Sequence, residues 1–326
     1  MTASLLLNRA SQNGLQALDL SRHLGGMARL IEQCFAPTLD ASGRGFVREM
    51  QALSHLGPLL KVFDVVPLGA YWNKGFVWLE DGKVVGCVGT QRAAHSDRWL
   101  VANVAVHPDQ RRRGIALAMM QATLELVRAQ GGAEVMLQVD DDNLGAIALY
   151  RQLGFADVTT QTTWRRAATA QIPAESASPF DLRFRRPSEW RVQFVLARQS
   201  RPHGLAWNEP LTDQPFRPTV SKWLNDFFEG VMEEHWMACA ERDGRFAGSL
   251  TLRVGGGGSD RMILLAHPEW AGAVERALLV RGLRRLAHRP WPVSVDYAAE
   301  GETAEVLRGL DFQPGRVLRW MRAEIK

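Results

Sequence analysis

Val104-Ala105-Val106-His107-Pro108-Asp109-Gln110-Arg111-Arg112-Arg113-Gly114-Ile115-Ala116-Leu117 is the stretch that decides how this chain is read. An apolar strand runs into a Pro turn. A basic, Gly-containing loop follows, and then an amphipathic helix. That order aims backbone N–H groups and a helix N-terminus at one spot, which suits a phosphate anion. Gly114 lets backbone approach such a ligand closely, and the three arginines add charge.

Working outward, the chain repeats itself. Asp81-Gly82 and Asp243-Gly244 read as hairpin turns, each followed by an apolar strand with a Gly, Gly86 and Gly248. His107-Pro108-Asp109 matches His267-Pro268-Glu269, and Leu153-Gly154-Phe155 matches Leu310-Asp311-Phe312. The three pairs are spaced by 162, 160 and 157 residues, which marks a duplicated unit. Period and punctuation predict helices over 24–35, 45–56, 114–130 and 143–153, and strands over 76–80, 84–92, 99–106, 134–139 and 155–164. The second half predicts strands over 236–240, 245–254, 261–266, 293–297 and 316–323, with helices over 271–287 and 303–310. The fold class is α/β (an α+β mixed sheet) in two tandem domains. A small, polar, Pro-bearing stretch sets the expected division: a first domain over 1–165, a linker over 166–181 and a second domain over 182–326. Gly255–Gly258 lies between two strands and reads as a turn.

A second constellation follows the next strand. Asn143 and Tyr150 are seven residues apart on one predicted helix, so two turns place them on one face. A phenol with an ordinary pKa near ~10 stays protonated at neutral pH and can donate a proton. Val104 and Val106 also read simply as core residues. Glu80, Asp97, Asp140 and His95 are candidate general bases that the sequence does not rank. Asp140–Asp142 reads more simply as a solvated loop.

Arg111–Ala116 fits the pattern Q/R-x-x-G-x-G/A. Asn143-x-x-Ala146-x-x-x-Tyr150-x-x-Leu153-Gly154-Phe155 fits a second motif of the same family. The chain therefore resembles the GCN5-related N-acetyltransferases (GNAT), most strongly over 104–155. The resemblance implies acetyl-CoA as co-substrate, with no metal. Arg111, Arg112, Arg113, Gly114, Ile115 and Ala116 would hold its pyrophosphate. Val104, Ala105 and Val106 would pair with its pantetheine arm, and Asn143 would contact it. Tyr150 would act as general acid while a primary amine attacks directly in a ternary complex. A non-enzymatic acyl-CoA-binding module is the alternative. So is a mycothiol-synthase-like enzyme, although in that family the C-terminal copy is the active one.

The second half lacks these residues. Glu269-Trp270-Ala271-Gly272-Ala273-Val274 has no basic loop, Glu300 stands at the place of Asn143, and Leu307 at that of Tyr150. It reads as a degenerate copy. Its aromatics Trp207, Trp223, Phe227, Phe228 and Trp236 read as core, with part available to line an acceptor cleft.

The bulk composition fits this reading. In 326 residues, 46% are hydrophobic and 23% charged, as in globular proteins, and the net charge is only +4. No basic stripe interleaved with aromatics points to nucleic acid. Three distant cysteines suggest neither a zinc site nor disulfides, so a cytoplasmic compartment is expected. Met1–Arg9 lacks a signal-peptide pattern, and no stretch reads as a membrane span. The expected partner is a small-molecule or peptide amine. The chain is expected to be a monomeric pseudo-dimer, with a homodimer as the other arrangement.

Overall fold

The computed structural model describes residues 13–36, 41–56, 74–93, 97–174, 177–200, 213, 216–219, 231–255 and 258–325. His95, Trp207, Trp223, Phe227, Phe228 and Met1–Arg9, all singled out above, lie outside these residues. The chain forms two compact units. The first takes Met1–Val139, Asn143–Val158 and Trp320–Lys326; the second takes Asp140–Asp142 and Thr159–Arg319.

In the first unit the elements are β1 (Gly14–Ala17), α1 (Leu20–Phe35), α2 (Ala41–Ser54), β2 (Lys74–Glu80), β3 (Lys83–Arg92), β4 (Arg98–Val106), α3 (Ile115–Ala129), β5 (Glu134–Asp140), α4 (Leu144–Gln152) and the start of β6 (Ala156–Arg166). The strand order is β1-β2-β3-β4-β5, completed by the end of β12 (Gln313–Glu324). β1 to β4 pair antiparallel, and β4 pairs parallel with β5. Asp81 and Gly82 have φ of 48° and 72°, the left-handed pair that a two-residue hairpin turn requires. Asp19 caps α1, accepting the Ser21 N–H at 3.0 Å. Helically spaced Leu24, Met27, Leu30 and Ile31 bury that helix against Val47 and Met50 of α2 and against Val77, Cys87 and Ala105 of the sheet. The other sheet face is covered by α3 and α4, whose Ile115, Met119, Met120, Ile147 and Tyr150 pack with Trp99, Val101 and Leu137.

The second unit contains the rest of β6, then β7 (Phe180–Phe184), α5 (Trp190–Gln199), β8 (Met232–Ala240), β9 (Phe246–Val254), β10 (Asp260–Ala266), α6 (Ala273–Arg285), β11 (Val293–Tyr297), α7 (Glu302–Gly309) and most of β12. Its strands run β7-β8-β9-β10-β11-β6. The hairpin after β8 differs from that after β2: Gly244 is left-handed, but Asp243 is not among the residues of positive φ. Gly86 and Gly248 match in their surroundings. A Cβ on Gly86 would lie 3.0 Å from Met119, and one on Gly248 2.8 Å from Val274, so each lets a helix close onto its sheet.

The compact units depart from the expected division at 166–181. The end of each half's closing strand belongs to the other unit. From Thr162 to Arg166, β6 pairs antiparallel with β11, and Trp164 is fully buried in the second unit's core. The end of β12 lies against β5, where the Ile325 N–H donates to the Ala133 carbonyl at 2.8 Å and Met321 is fully buried in the first unit's core. Trp164 and Met321 are 157 residues apart, the spacing of the repeat. β7 and α5 were not anticipated from the sequence, and the expected linker already contains the first two residues of β7.

Candidate active site

The first unit's site starts where β4 leaves β5. Parallel pairing runs from Arg98 opposite Glu134 to Val101 opposite Leu137, and there the ladder ends. Asn103 has a φ of 54°, and the β3–β4 register shifts between Cys87 and Gly89. This bulge re-aims the rest of β4. The His107 N–H donates to the Val85 carbonyl of β3 at 2.8 Å, so Val106 presents its backbone groups to the opposite edge. On that edge the Val106 carbonyl accepts Arg111 Nε at 3.2 Å and the Cys34 thiol at 3.5 Å. An extended ligand can therefore add to the strand edge beyond Val101. Ala105 points into the α1 core, and Val104 and Val106 pack against the opposite one.

The loop after β4 is built by local bonds. His107 caps a short 3-10 turn, its Nδ1 accepting the Asp109 N–H at 3.3 Å. The Arg111 N–H donates to the Pro108 carbonyl at 3.2 Å. Arg112 then takes a φ of 64°, and Gly114, at 78°, begins α3 with no side-chain cap. The first N–H groups of that helix are left without an intrahelical partner, at the positive end of its dipole. Gly114 is exposed, and nothing lies within 4 Å of where a Cβ would be. The geometry and chemistry fit an anion.

The three arginines do different things. Arg111 turns back onto Val106. Arg113 pairs with Glu80 at 2.7 Å and also meets Gln110. Arg112 is exposed, and no side-chain partner holds it among the described residues.

Asn143 is the N-cap of α4, its side-chain oxygen accepting the Ala146 N–H at 3.2 Å. Tyr150 lies two turns on, 4% exposed, its ring 5.9 Å from that of Phe155. It belongs to the core cluster that also holds Ile115 of α3, Val101 of β4 and Leu137 of β5. Burial pushes the phenol well above its usual range, and no hydrogen bond to a described residue pulls it back. It is a proton donor at any ordinary pH.

Of the candidate bases, Glu80 is tied to Arg113 at the loop. Asp140 and Asp141 are held by Arg316 and Arg319, with shortest contacts of 2.5 and 2.6 Å. Asp97 precedes β4, at the end away from the loop. Sequence reasoning gave no role to Cys34 or Cys87. Burial raises both thiols, Cys87 to about 12, so neither is an activated thiolate. Ser200 in the second unit donates to the Ala266 carbonyl at 2.8 Å, just as Cys34 does to Val106, so this contact belongs to the repeated scaffold. Among the described residues no cluster of His, Cys, Asp and Glu has the makings of a metal site, and no helix is long and apolar enough to cross a membrane.

Residues 53–155 match the model of the acetyltransferase (GNAT) family. The chain is 31% identical over 129 residues to the streptothricin acetyltransferase of Streptomyces lavendulae, covering 36% of this chain and 67% of that protein. It is 42% identical over 64 residues to the mycothiol acetyltransferase of Clavibacter michiganensis subsp. michiganensis, 20% of this chain, and so spans only about a fifth (21%) of that relative's length. Among solved structures, a tandem GNAT protein from the clavulanic acid biosynthesis pathway superposes with a TM-score of 0.61 at 17% identity, covering 96% of this chain and 99% of that one. At that identity the likeness is one of fold.

Proposed function

The chain belongs to the acetyltransferase (GNAT) family, and from that premise we propose that its first unit transfers an acetyl group from acetyl-CoA to a primary amine. One observation carries the reading: the edge of β4 freed from β5 leads straight to an uncapped, open helix N-terminus, with a buried phenol in the same cluster.

Each group then has a task. Backbone N–H groups of Arg112 to Ala116 hold the pyrophosphate, and Gly114 keeps the approach clear. The exposed Arg112 guanidinium adds a charged contact to a phosphate. The free edge from Ala102 to Val106 pairs with the pantetheine arm, and a backbone N–H near Val106 polarises the acetyl carbonyl. Asn143 sets the start of α4 and faces the coenzyme. The acceptor nitrogen attacks the carbonyl carbon while the C–S bond breaks. Tyr150 gives its proton to the departing thiolate, the amine loses one to solvent, and the phenolate takes one back from solvent to close the cycle.

The acceptor is a small-molecule or peptide amine. Streptothricin and mycothiol acetyltransferases are named for small molecules, which favours that class. The three free cysteines fit a reducing, cytoplasmic compartment. The exchange of closing strands between the two halves fits a monomer built as a pseudo-dimer, and a single-chain mass by light scattering is expected.

Tyr150→Phe tests the chemistry. It is expected to lower kcat by about 10²-fold or more, in the range of a lost general acid, with CoA affinity within about twofold of the wild type by calorimetry. An unchanged kcat removes Tyr150 from the mechanism. Binding of acetyl-CoA without turnover on any amine tested turns the reading to a non-enzymatic acyl-CoA-binding module. Because burial raises the phenol, the wild-type rate is expected to show no alkaline loss from this group until above about pH 10. The sign is the same for stability. The unfolded chain ionises first, so this group leaves stability unchanged below about pH 10 and lowers it above.

A further inference from the structure

The second unit repeats the strand, turn, loop and helix of the first, but its loop is covered. His267 Nδ1 accepts the Glu269 N–H at 3.3 Å, as His107 does that of Asp109. Gly272 has the same φ of 78° as Gly114, and α6 likewise starts without a side-chain cap. Gly114 is exposed, whereas Gly272 is buried. The cover is Glu302. A Cβ on Gly272 would lie 2.9 Å from Glu302 Oε2 and 3.2 Å from its Cβ.

A second acid belongs to the start of the same helix. Glu275, in the first turn of α6, is 1% exposed. Its Oε1 accepts Thr303 Oγ1 at 2.7 Å and Tyr297 Oη at 3.0 Å, while its Oε2 has no partner among the described residues. Burial and the Glu275 charge push Tyr297 up to about 12, so its hydroxyl remains a donor. Three elements thus converge on one carboxylate: the end of β11 and the first turns of α6 and α7. The first turns of α3 and α4, at the same places in the first unit, contain no acid. A carboxylate taken out of water is costly unless something answers its charge. The positive end of a helix is such an answer, and it is also what would attract a phosphate.

We propose that the second unit's anion-binding crevice is occupied by the chain's own carboxylates. Glu302, itself exposed, lies over Gly272 where a phosphate would approach, and Glu275 adds a buried acid in the first turn of α6. The chain then binds one CoA, and the second crevice is an internal anion site that opens only when Glu302 is removed. The inference rests on reading the Gly114 loop as a phosphate cradle, since it treats Gly272 as that loop's counterpart.

Calorimetric titration of the full chain with CoA counts the sites, and one per chain is expected. Two would overturn this inference, whereas none would strike the transferase reading instead. The second arm blocks the first loop with Gly114→Val and adds inorganic pyrophosphate to chains with and without Glu302→Gly. The expected result is a pyrophosphate-dependent rise in Tm with Glu302→Gly and none with Glu302 intact. An equal rise with Glu302 intact overturns the inference. So does no rise in a Glu302→Gly chain whose circular dichroism matches the wild type. Should that variant unfold, Glu302→Gln keeps the side chain's volume and removes its charge. A smaller rise is then expected, and no rise counts against the proposal.

Discussion

The loops at Arg111–Ala116 and Ala271–Val274 begin alike and end oppositely. Both follow a strand and a His-capped 3-10 turn, and both turn into a helix through a left-handed glycine. One is basic and open. The other has lost its arginines and lies under Glu302. The difference separates what both scaffolds keep from what varies between the halves. The His cap and the left-handed Gly serve the backbone, and they are present in both halves. The charges differ between the halves: Arg111, Arg112 and Arg113 in one loop, Glu269 and the covering Glu302 at the other.

That comparison can be broken in three places. The largest effect is expected at the exchanged strands. Met321→Asp puts an unpaired charge into the first unit's core and is expected to cost about 3–5 kcal/mol, with loss of CoA binding. Trp164→Asp, its counterpart, is expected to unfold the second unit first and to leave CoA binding by the first unit the better preserved. Thermal unfolding with and without CoA separates the two. If Met321→Asp binds CoA normally, β12 does not complete the first unit.

Next come the loop glycines. A β-branched residue at a φ of 78° is strained by about 1–3 kcal/mol in either unit. Only Gly114→Val is expected to weaken CoA binding, by about tenfold or more. Gly272→Val is expected to lower Tm and to leave CoA affinity and kcat unchanged. Equal losses of affinity in both variants would mean that both loops bind.

The smallest effect sharpens the role of Asn143. Asn143→Ala is expected to cost about 1 kcal/mol as a lost helix cap. Asn143→Asp keeps the cap and adds a negative charge. Stability retained with weakened CoA binding would show that the residue faces the coenzyme as well as the helix. Unchanged binding would leave it a cap alone.

Much of the site was legible because its signals are local. The Pro turn, the Arg-Gly loop and the seven-residue step from Asn143 to Tyr150 each lie within a few turns of chain, where spacing and geometry are nearly one thing. The work of the individual arginines was not legible. Arg111 turning back on Val106, and Arg113 on Glu80, depend on which strands stand beside the loop. The base candidate Asp140 and its neighbour Asp141 are paired with arginines 176 and 178 residues away. Glu302, to which the sequence reading gave no role, is the acid that lies over Gly272.

By itself the sequence determined the duplicated mixed-sheet fold, the basic, Gly-containing loop of one half and the absence of that basic loop in the other. These follow from hydrophobic period, turn residues and charge, all short-range properties. Only the tertiary structure decided where β6 and β12 go. A strand's alternation specifies which of its faces is buried but not which sheet edge it joins, and two halves descended from one pattern offer two similar edges. The tertiary structure also decided that Glu302 closes the second crevice, because its carboxylate reaches Gly272 only once two helix starts have been folded onto the same strand ends.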